Sequence, residues 1–282
     1  MTDVQVFVND LADRSATTAD LSGTFRDDCG IVRCQKCGER RVAFISAVGR
    51  ELPVACRCWE AKATAAQKSQ AILAAGLKVR SSPFFSRGYE DYTFAADSWP
   101  DGEVSRQCRT YVACREQMHD ADLGLLFSGR IGTGKTFYAA SVINALRARG
   151  VSAIICTAAN LVNVAQALRN PLAAIDELDS FEFVALDDLG AQRGTDFGIS
   201  LIEGFIDARV LSRRPLIVTT NLSAAQMRQP EDLRWARTFD RILALCPHVI
   251  VTTGDSLRRT ERGDRAAHAA AILRGDGVVD RV

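Results

Sequence analysis

The sequence predicts an α/β fold in which a parallel sheet is flanked by helices, with a small cysteine-rich region ahead of it. Three observations lead to this prediction. From about residue 104 onward, short apolar runs alternate with helical stretches, which is typical of parallel sheets covered on both faces. One of these runs, at residues 123–127, ends directly in the glycine-rich loop GRIGTGKT at 129–136. Five of the nine cysteines lie between Cys29 and Cys58.

The cysteines near the N-terminus have the spacing of a metal site. Cys34 and Cys37 form a C-x₂-C-G knuckle, and Cys56 and Cys58 form a second, tighter pair. The residues between the pairs, 41–54, alternate in polarity like a small hairpin. Two cysteine pairs joined by a hairpin are typical of a tetrahedral zinc site with four thiolate ligands. We therefore predict a zinc ribbon that binds Zn²⁺ through Cys34, Cys37, Cys56 and Cys58.

Two alternatives are open for this region. Cys29 lies nearby in the sequence and is an alternative to one of the four ligands. The second alternative is that these cysteines bind no metal and are ordinary buried thiols, because free cysteine is often buried. The other four cysteines lack such spacing and are predicted to be core residues: Cys108, Cys114, Cys156 and Cys246. A structural zinc ion would allow so short a region to fold with little apolar core.

The segment after the cysteines is rich in alanine, lysine and glutamine. It predicts a helix over residues 61–78, with Gly76 as its end. Ser81-Ser82-Pro83 then breaks the helical pattern. We therefore divide the chain into an N-terminal zinc-binding region, residues 1–80, and an α/β domain, residues 81–282.

The second region contains five strand candidates separated by helical stretches. The strand candidates are residues 123–127, 151–156, 181–186, 216–220 and 249–252. The helical stretches lie near residues 135–149, 159–169, 196–212 and 231–245.

The loop at 129–136 has the pattern G-x-x-x-x-G-K-T of a phosphate-binding loop, and it lies between a strand and a helix. Glycines let the backbone direct its N–H groups toward phosphate oxygens, and the helix N-terminus adds partial positive charge. Lys135 is predicted to reach the β- and γ-phosphates of a nucleotide, and the Thr136 hydroxyl to bind Mg²⁺. The predicted nucleotide-binding residues of this loop are Gly129, Gly132, Thr133, Gly134, Lys135 and Thr136.

A second strand candidate, residues 181–186, ends in two adjacent carboxylates. Unpaired buried charge is costly, so such residues rarely serve core packing alone. Asp187 suits the binding of hydrated Mg²⁺, and Asp188 would orient or deprotonate the attacking water. The strand at 216–220 ends in Asn221, whose amide can bind the γ-phosphate or that water. From the residues alone, Asn221 is equally an ordinary turn or helix-capping residue.

Composition limits the possible partners and compartments. The 282 residues carry a net charge of +1, with 47% hydrophobic and 24% charged residues. A net charge near zero gives no overall attraction to nucleic acid or membranes. No apolar run approaches the roughly eighteen residues of a bilayer span, and the first residues lack signal-peptide features. We therefore predict a cytoplasmic protein with reduced thiols and no membrane partner.

The order of motifs along residues 83–259 carries a family resemblance. The glycine loop is followed by LDDLG at 186–190 and TTN at 219–221, and then by RTFDRI at 237–242 and GDSLRR at 254–259. This order resembles the AAA+ ATPases and, within them, the DnaC/DnaI-type helicase loaders and the related IstB transposition ATPases.

The resemblance implies a five-stranded parallel AAA+ sheet and an ATPase that uses ATP and Mg²⁺. It also implies that Arg241 is an arginine finger reaching the γ-phosphate bound by a neighbouring subunit, with Arg237 one helical turn before it. Arg258 matches the sensor 2 arginine, which acts in its own subunit's site. These two arginines join Asp188 and Asn221 as the predicted catalytic residues. Most AAA+ ATPases have Glu where this chain has Asp188, so slow turnover, suited to a switch, is expected.

The resemblance further implies a loader that delivers a hexameric replicative DNA helicase onto single-stranded DNA during replication initiation. The implied partners are that helicase, single-stranded DNA and further copies of this chain joined at the ATP site. Residues 1–80 would bind the helicase. Two other functions are open: an IstB-like helper of transposition, and a sequence-independent nucleic-acid ATPase without a dedicated partner. The zinc-ribbon region favours the loader, because IstB-like chains usually begin with a helical domain.

Overall fold

The computed structural model describes residues 21–46, 49–190, 195–230 and 233–253. Contacts within the chain divide it into two compact units, Met1–Gln70 and Ala71–Val282. Over the described ranges, no helix has both the length and the apolar character that a bilayer crossing requires.

The first unit contains two small antiparallel sheets. Strands β1 (Thr24–Arg26) and β2 (Val32–Cys34) form one pair, and β3 (Val42–Ile45) and β4 (Arg50–Pro53) form the other. The second pair is the hairpin predicted between the cysteine pairs. The β1–β2 pair was not predicted, because strands of three residues give too short an alternation to recognise.

Helix α1 spans Arg57–Ser81, so the prediction that Gly76 ends this helix is wrong. A glycine inside a helix costs only about 1 kcal/mol relative to alanine, and strong helix formers flank this one on both sides. The helix instead ends just before Pro83, which disfavours helical backbone in the residue preceding it.

The second unit is a parallel five-stranded sheet with helices around it, which confirms the predicted fold class. In chain order its elements are α2 Glu103–Ala113, α3 Arg115–Asp120, β5 Leu125–Gly129, α4 Lys135–Arg147, β6 Ala153–Thr157, α5 Ala158–Leu168, α6 Pro171–Asp179, β7 Phe183–Leu189, α7 Asp196–Ser212, β8 Leu216–Thr220, α8 Ala224–Arg228, α9 Ala236–Leu245 and β9 His248–Thr252. The strand order is β6-β7-β8-β5-β9, and every neighbouring pair is parallel.

The strands are apolar on both sides because helices cover both faces of the sheet. Alternate residues of β7 enter two separate core clusters: Val184 and Leu186 pack with α5 and α7, whereas Phe183 and Ala185 pack with α4. The four strands from β5 to β8 are therefore nearly continuous buried runs, whereas the edge strand β9 exposes His248 and Val251.

A buried arginine joins the amino-terminal ends of β7 and β8. Arg209 of α7 is fully buried, and its guanidinium donates to the carbonyl oxygens of Phe181 (2.9 Å), Glu182 (3.0 Å) and Pro215. It also forms an ion pair with Asp179, whose Oδ1 lies 3.2 Å away. Burial lowers the pKa of Arg209 to about 10. These bonds fix the positions at which β7 and β8 begin. The opposite ends of the same two strands carry the acidic and amide side chains.

Candidate functional site

The strand order places three sets of polar residues at one edge of the sheet. β8 lies between β5 and β7, and in a parallel sheet the carboxyl ends of all strands meet at the same edge. The loop at 129–134 follows β5, the Asp187–Asp188 pair lies at the end of β7, and Asn221 follows β8. Such an edge is the usual ligand site of open α/β sheets.

The glycine loop has backbone conformations that only glycine adopts freely. Gly132 and Gly134 have φ angles of 87° and 90°. Gly129 is also required by space, since a Cβ there would lie 2.3 Å from the carbonyl oxygen of Thr252 on β9. Helix α4 then begins at Lys135, directly after Gly134, so the loop leads into the helix N-terminus, where backbone N–H groups are free to bind an anion.

Lys135 and Thr133 bond within the loop and to the neighbouring strand. The Lys135 ammonium donates to the carbonyl oxygens of Gly129 (2.8 Å) and Arg130 (2.7 Å), and the residue is only 8% exposed. The Thr133 hydroxyl contacts that of Thr252 at 2.6 Å. Thr133 therefore ties the loop to β9, while Lys135 stays at the loop's centre.

The Asp187 carboxylate accepts hydrogen bonds from the hydroxyl groups of three residues, each on a different element. The Thr136 hydroxyl donates to its Oδ1 at 2.9 Å and that of Thr219 at 2.6 Å, while the Tyr89 hydroxyl lies 3.4 Å from Oδ2. Asp187 is 4% exposed. The pair predicted to hold magnesium, Thr136 and Asp187, is therefore in direct contact. A hydroxyl and a carboxylate oxygen are ligands that Mg²⁺ prefers, so these residues fit the ion.

The other two predicted polar residues of this edge, Asp188 and Asn221, lie side by side. Asp188 is exposed, and the Asn221 amide nitrogen is 3.5 Å from its Oδ1. Asp188 has a φ of 58°, a left-handed conformation that Asp adopts more readily than most residues.

Two residues that contact Asp187, Tyr89 and Thr219, were not among the predicted site residues. Thr219 lies inside the TTN motif, but its contact with β7 depends on strand register. Tyr89 belongs to a segment that Asn144 of α4 holds, by donating to the carbonyl oxygens of Tyr89 (2.7 Å) and Tyr92 (2.9 Å). Burial, with the nearby Asp187 carboxylate, raises the pKa of Tyr89, so its hydroxyl stays protonated and can donate.

Arg241 lies on α9 and forms ion pairs within its own chain. Its Nη1 is 2.5 Å from Asp207 Oδ1 and 3.6 Å from Glu203 Oε1, both on α7, and its side chain is 37% exposed. Arg237, one turn earlier, is exposed. Arg258 lies outside the described residues.

The N-terminal cysteines come together in the first unit. The sulfurs of Cys34, Cys37 and Cys58 lie within 4.8 Å of one another, and Cys56 lies within the same distance of Cys37 and of a Glu39 carboxylate oxygen. Thiolates 2.3 Å from a tetrahedral zinc ion would lie about 3.8 Å apart, so this cluster fits the ion with small adjustments. Cys29 is exposed and joins neither group within the ranges described.

Polar groups surround this cluster. Backbone N–H groups of Cys37 and Lys36 lower the pKa of the Cys34 thiol to about 7. Arg41 is buried, and its guanidinium donates to the Val54 carbonyl oxygen at 3.0 Å and approaches Cys56 Sγ at 3.9 Å. Of the cysteines predicted to be core residues, Cys108, Cys156 and Cys246 are buried and Cys114 is half-buried.

Comparisons with known proteins match a large part of the chain. A family model described as IstB-like ATP binding protein matches residues 62–265. The Replicative helicase loader DnaC of Escherichia coli (strain K12) is 28% identical over 148 residues, which is 50% of this chain and 59% of that protein. The protein of the same name from Buchnera aphidicola subsp. Schizaphis graminum is 26% identical over 187 residues, 64% of this chain and 73% of that protein.

This chain therefore spans less than two thirds of the Escherichia coli relative's length. Among solved structures, the crystal structure of DnaI has a TM-score of 0.50 at 21% identity, covering 61% of this chain and 94% of that one. This similarity shows a shared fold alone.

Proposed function

Because the chain belongs to the family of IstB-like ATP-binding proteins, we propose that it binds Mg·ATP at the carboxyl edge of its sheet and hydrolyses it slowly. The observation that carries this proposal is the contact between Thr136 and Asp187 beside the glycine loop. Loop residues from Gly129 to Thr136 would bind the phosphates through backbone N–H groups and the Lys135 ammonium.

Each residue at the edge has a distinct part in the proposed reaction. Thr136 and Asp187 would hold Mg²⁺, which would neutralise charge on the β- and γ-phosphates when bound. Asp188 would accept a proton from the attacking water as its oxygen bonds to the γ-phosphorus and the bond from that phosphorus to the ADP oxygen breaks. Asn221 would orient that water or the γ-phosphate, because its amide lies beside Asp188.

Two arginines would complete the site. Arg241 would act from a neighbouring copy of the chain, which makes hydrolysis depend on self-association. Support for this role comes from the 37% exposed side chain of Arg241 on α9, although the Nη1 atom that pairs with Asp207 is itself buried. Arg258 would act within its own subunit, as the family resemblance implies.

We further propose that ATP switches a helicase loader. Support comes from the relatives named replicative helicase loaders and from the division of the chain into a cysteine-rich unit and a nucleotide-binding unit. The N-terminal region, residues 1–80, would bind a hexameric replicative helicase, and the ATPase domain, residues 81–282, would bind single-stranded DNA. ATP binding would align neighbouring copies into a continuous DNA-binding surface, and hydrolysis would release it.

The helicase proposal predicts selective retention of the host's replicative helicase. The full chain, immobilised with Mg·ATP, should retain purified helicase and should not retain a transposase in the same assay. A Cys34→Ser/Cys37→Ser variant should lose helicase but keep nucleotide binding, because the two functions belong to separate units. Retention of transposase in place of helicase would favour the IstB-like helper, which the family match also permits. Retention of neither would contradict both.

We also propose that the cysteine cluster binds one structural Zn²⁺ through Cys34, Cys37, Cys56 and Cys58. The clustered sulfurs support this proposal, and the ion would stabilise two sheets that have little apolar core. Glu39 is the alternative fourth ligand, because its carboxylate oxygen lies within 4.8 Å of the sulfurs of Cys37 and Cys56.

Elemental analysis of chain purified without chelator should find about one zinc ion per molecule. Cys37→Ser should lose the metal and unfold the first unit at lower temperature, because Cys37 belongs to both ligand groups. Cys114→Ser is the matched control and should keep the zinc. A chain without metal whose four thiols all react freely would show that the cluster is not a zinc site.

A further inference from the structure

Strand β7 contains an irregularity at its two carboxylates. Leu186 pairs with Val218 of β8, but the next pairing joins Leu189 to Thr220. Two residues of β7, Asp187 and Asp188, therefore lie opposite the single residue Thr219. This is a β-bulge, a device that re-aims side chains and is frequent beside active sites.

Core contacts show which way the bulge turns the strand. Val184, Leu186 and Leu189 all enter the same core cluster, although strict alternation would place Leu189 on the opposite face. One extra residue between Leu186 and Leu189 brings Leu189 back to the face of the sheet on which Val184 and Leu186 lie. Asp188, with its left-handed φ of 58° and exposed side chain, is that extra residue. As a result, Asp187 and Asp188 both lie at the site edge, one buried beside Thr136 and the other beside Asn221.

The Thr219 hydroxyl bonds to both residues of the bulge. It donates to Asp187 Oδ1 at 2.6 Å and accepts from the Asp188 backbone N–H at 2.9 Å. Thr219 is 1% exposed, so bulk water cannot readily replace these bonds. One hydroxyl thus fixes a carboxylate and the backbone of the next residue together, using its one donor and one of its acceptor positions.

We propose that Thr219 is a positioning residue for the Asp187–Asp188 pair. This inference rests on the proposed Mg·ATP site. In that site, Thr219 would hold the magnesium ligand Asp187 and the water-orienting carboxylate of Asp188 in fixed positions relative to each other. Without the hydroxyl, Asp187 loses its shortest contact and the Asp188 amide loses its partner. The bulge is then free to relax, and the two carboxylates shift relative to each other.

The test compares three variants of the full chain. Thr219→Val keeps the shape and removes the hydroxyl, and Thr219→Ser keeps the hydroxyl. Thr220→Val is the matched control, because Thr220 is also fully buried and donates to the Leu189 carbonyl oxygen at 2.7 Å, without touching either carboxylate. Each variant is measured for kcat, KM, the Mg²⁺ dependence of nucleotide binding, nucleotide affinity in chelator, and thermal unfolding.

Thr219→Val should lower kcat by about ten- to a hundredfold, the loss expected for one or two bonds to charged or catalytic groups. It should also raise the Mg²⁺ concentration needed for tight nucleotide binding, while affinity in chelator stays within about twofold because the loop still binds the phosphates. Thr219→Ser should restore most of both. Thr220→Val should lose similar thermal stability and keep the wild-type Mg²⁺ dependence.

Three results would overturn the inference. The first is a Thr219→Val variant whose kcat and Mg²⁺ dependence match wild type. The second is an equal loss in Thr220→Val, which would mean a general effect of removing a buried hydroxyl. The third is a Thr219→Ser variant as impaired as Thr219→Val. A wild-type chain that shows no Mg²⁺-dependent nucleotide binding would instead overturn the proposed function, and this inference with it.

Discussion

Replacing Lys135 with alanine is expected to weaken Mg·ATP binding by about a hundredfold or more, since two charge-assisted bonds to phosphate are worth about 3 kcal/mol together. The Lys135 ammonium is already held at the centre of the glycine loop by the carbonyl oxygens of Gly129 and Arg130. The ammonium therefore needs to move little when a phosphate enters the loop. Alanine removes this charge and leaves the loop glycines unchanged.

Titration with a fluorescent ATP analogue measures this effect directly. Lys68→Ala is the matched control, because Lys68 is an exposed lysine of α1, and it should bind like wild type. Thermal unfolding should show that Lys135→Ala remains folded. An unchanged affinity in a folded Lys135→Ala variant would contradict the assignment of the loop.

Replacing Arg241 with alanine is expected to leave ATP binding intact and to reduce hydrolysis by up to about a thousandfold, the lower range for arginine fingers. In the single chain, Arg241 is paired with Asp207 and Glu203. To reach a phosphate on a neighbouring copy it must exchange these carboxylates, so turnover should rise with protein concentration. The contacting atoms, Arg241 Nη1 and Asp207 Oδ1, are buried although the two side chains are 37% and 39% exposed, so contacts with the neighbouring copy must offset the loss of this pair.

A mixing experiment separates the proposed finger from a residue that merely joins α9 to α7. Arg241→Ala and Lys135→Ala proteins should each be inactive, and their mixture should regain part of the activity, because one kind of mixed interface has both groups. Arg213→Ala is the control, since Arg213 is an exposed arginine in an ion pair with Asp122 and should stay active. Arg241→Ala protein that loses stability, and that the mixture does not rescue, would point to a purely structural residue.

The features predicted from sequence are those with local signals. Apolar runs ending in a glycine loop or in paired acids indicate strands, a phosphate loop and a parallel sheet without any knowledge of contacts. The motif order gave the family, and the family match over residues 62–265 confirms the resemblance. One local signal was overlooked: Asn170-Pro171 begins α6, with the Asn170 side chain accepting from the Ala173 N–H at 3.2 Å.

The features that sequence reasoning missed depend on contacts between distant residues. Tyr89 and Thr219 meet Asp187 across 98 and 32 residues, and no periodic pattern records those pairings. The bulge is equally hidden, because the run FVALDDL at 183–189 looks like a uniform strand until the partner's register is known. Likewise, the residues alone gave no reason to expect acidic partners for Arg241 on α7.

Gly129 affects how genetic data on this chain should be interpreted. A side chain at this position would meet the backbone of Thr252, so it would push β9 away from β5 rather than fill the phosphate loop. A screen for loss of nucleotide binding would recover such alleles beside true loop alleles. Only the Gly129 alleles would also show defects caused by displacement of the edge strand β9, such as lower solubility or faster proteolysis. Alleles at Gly129 therefore report on the integrity of the sheet and should be excluded when the phosphate loop itself is mapped.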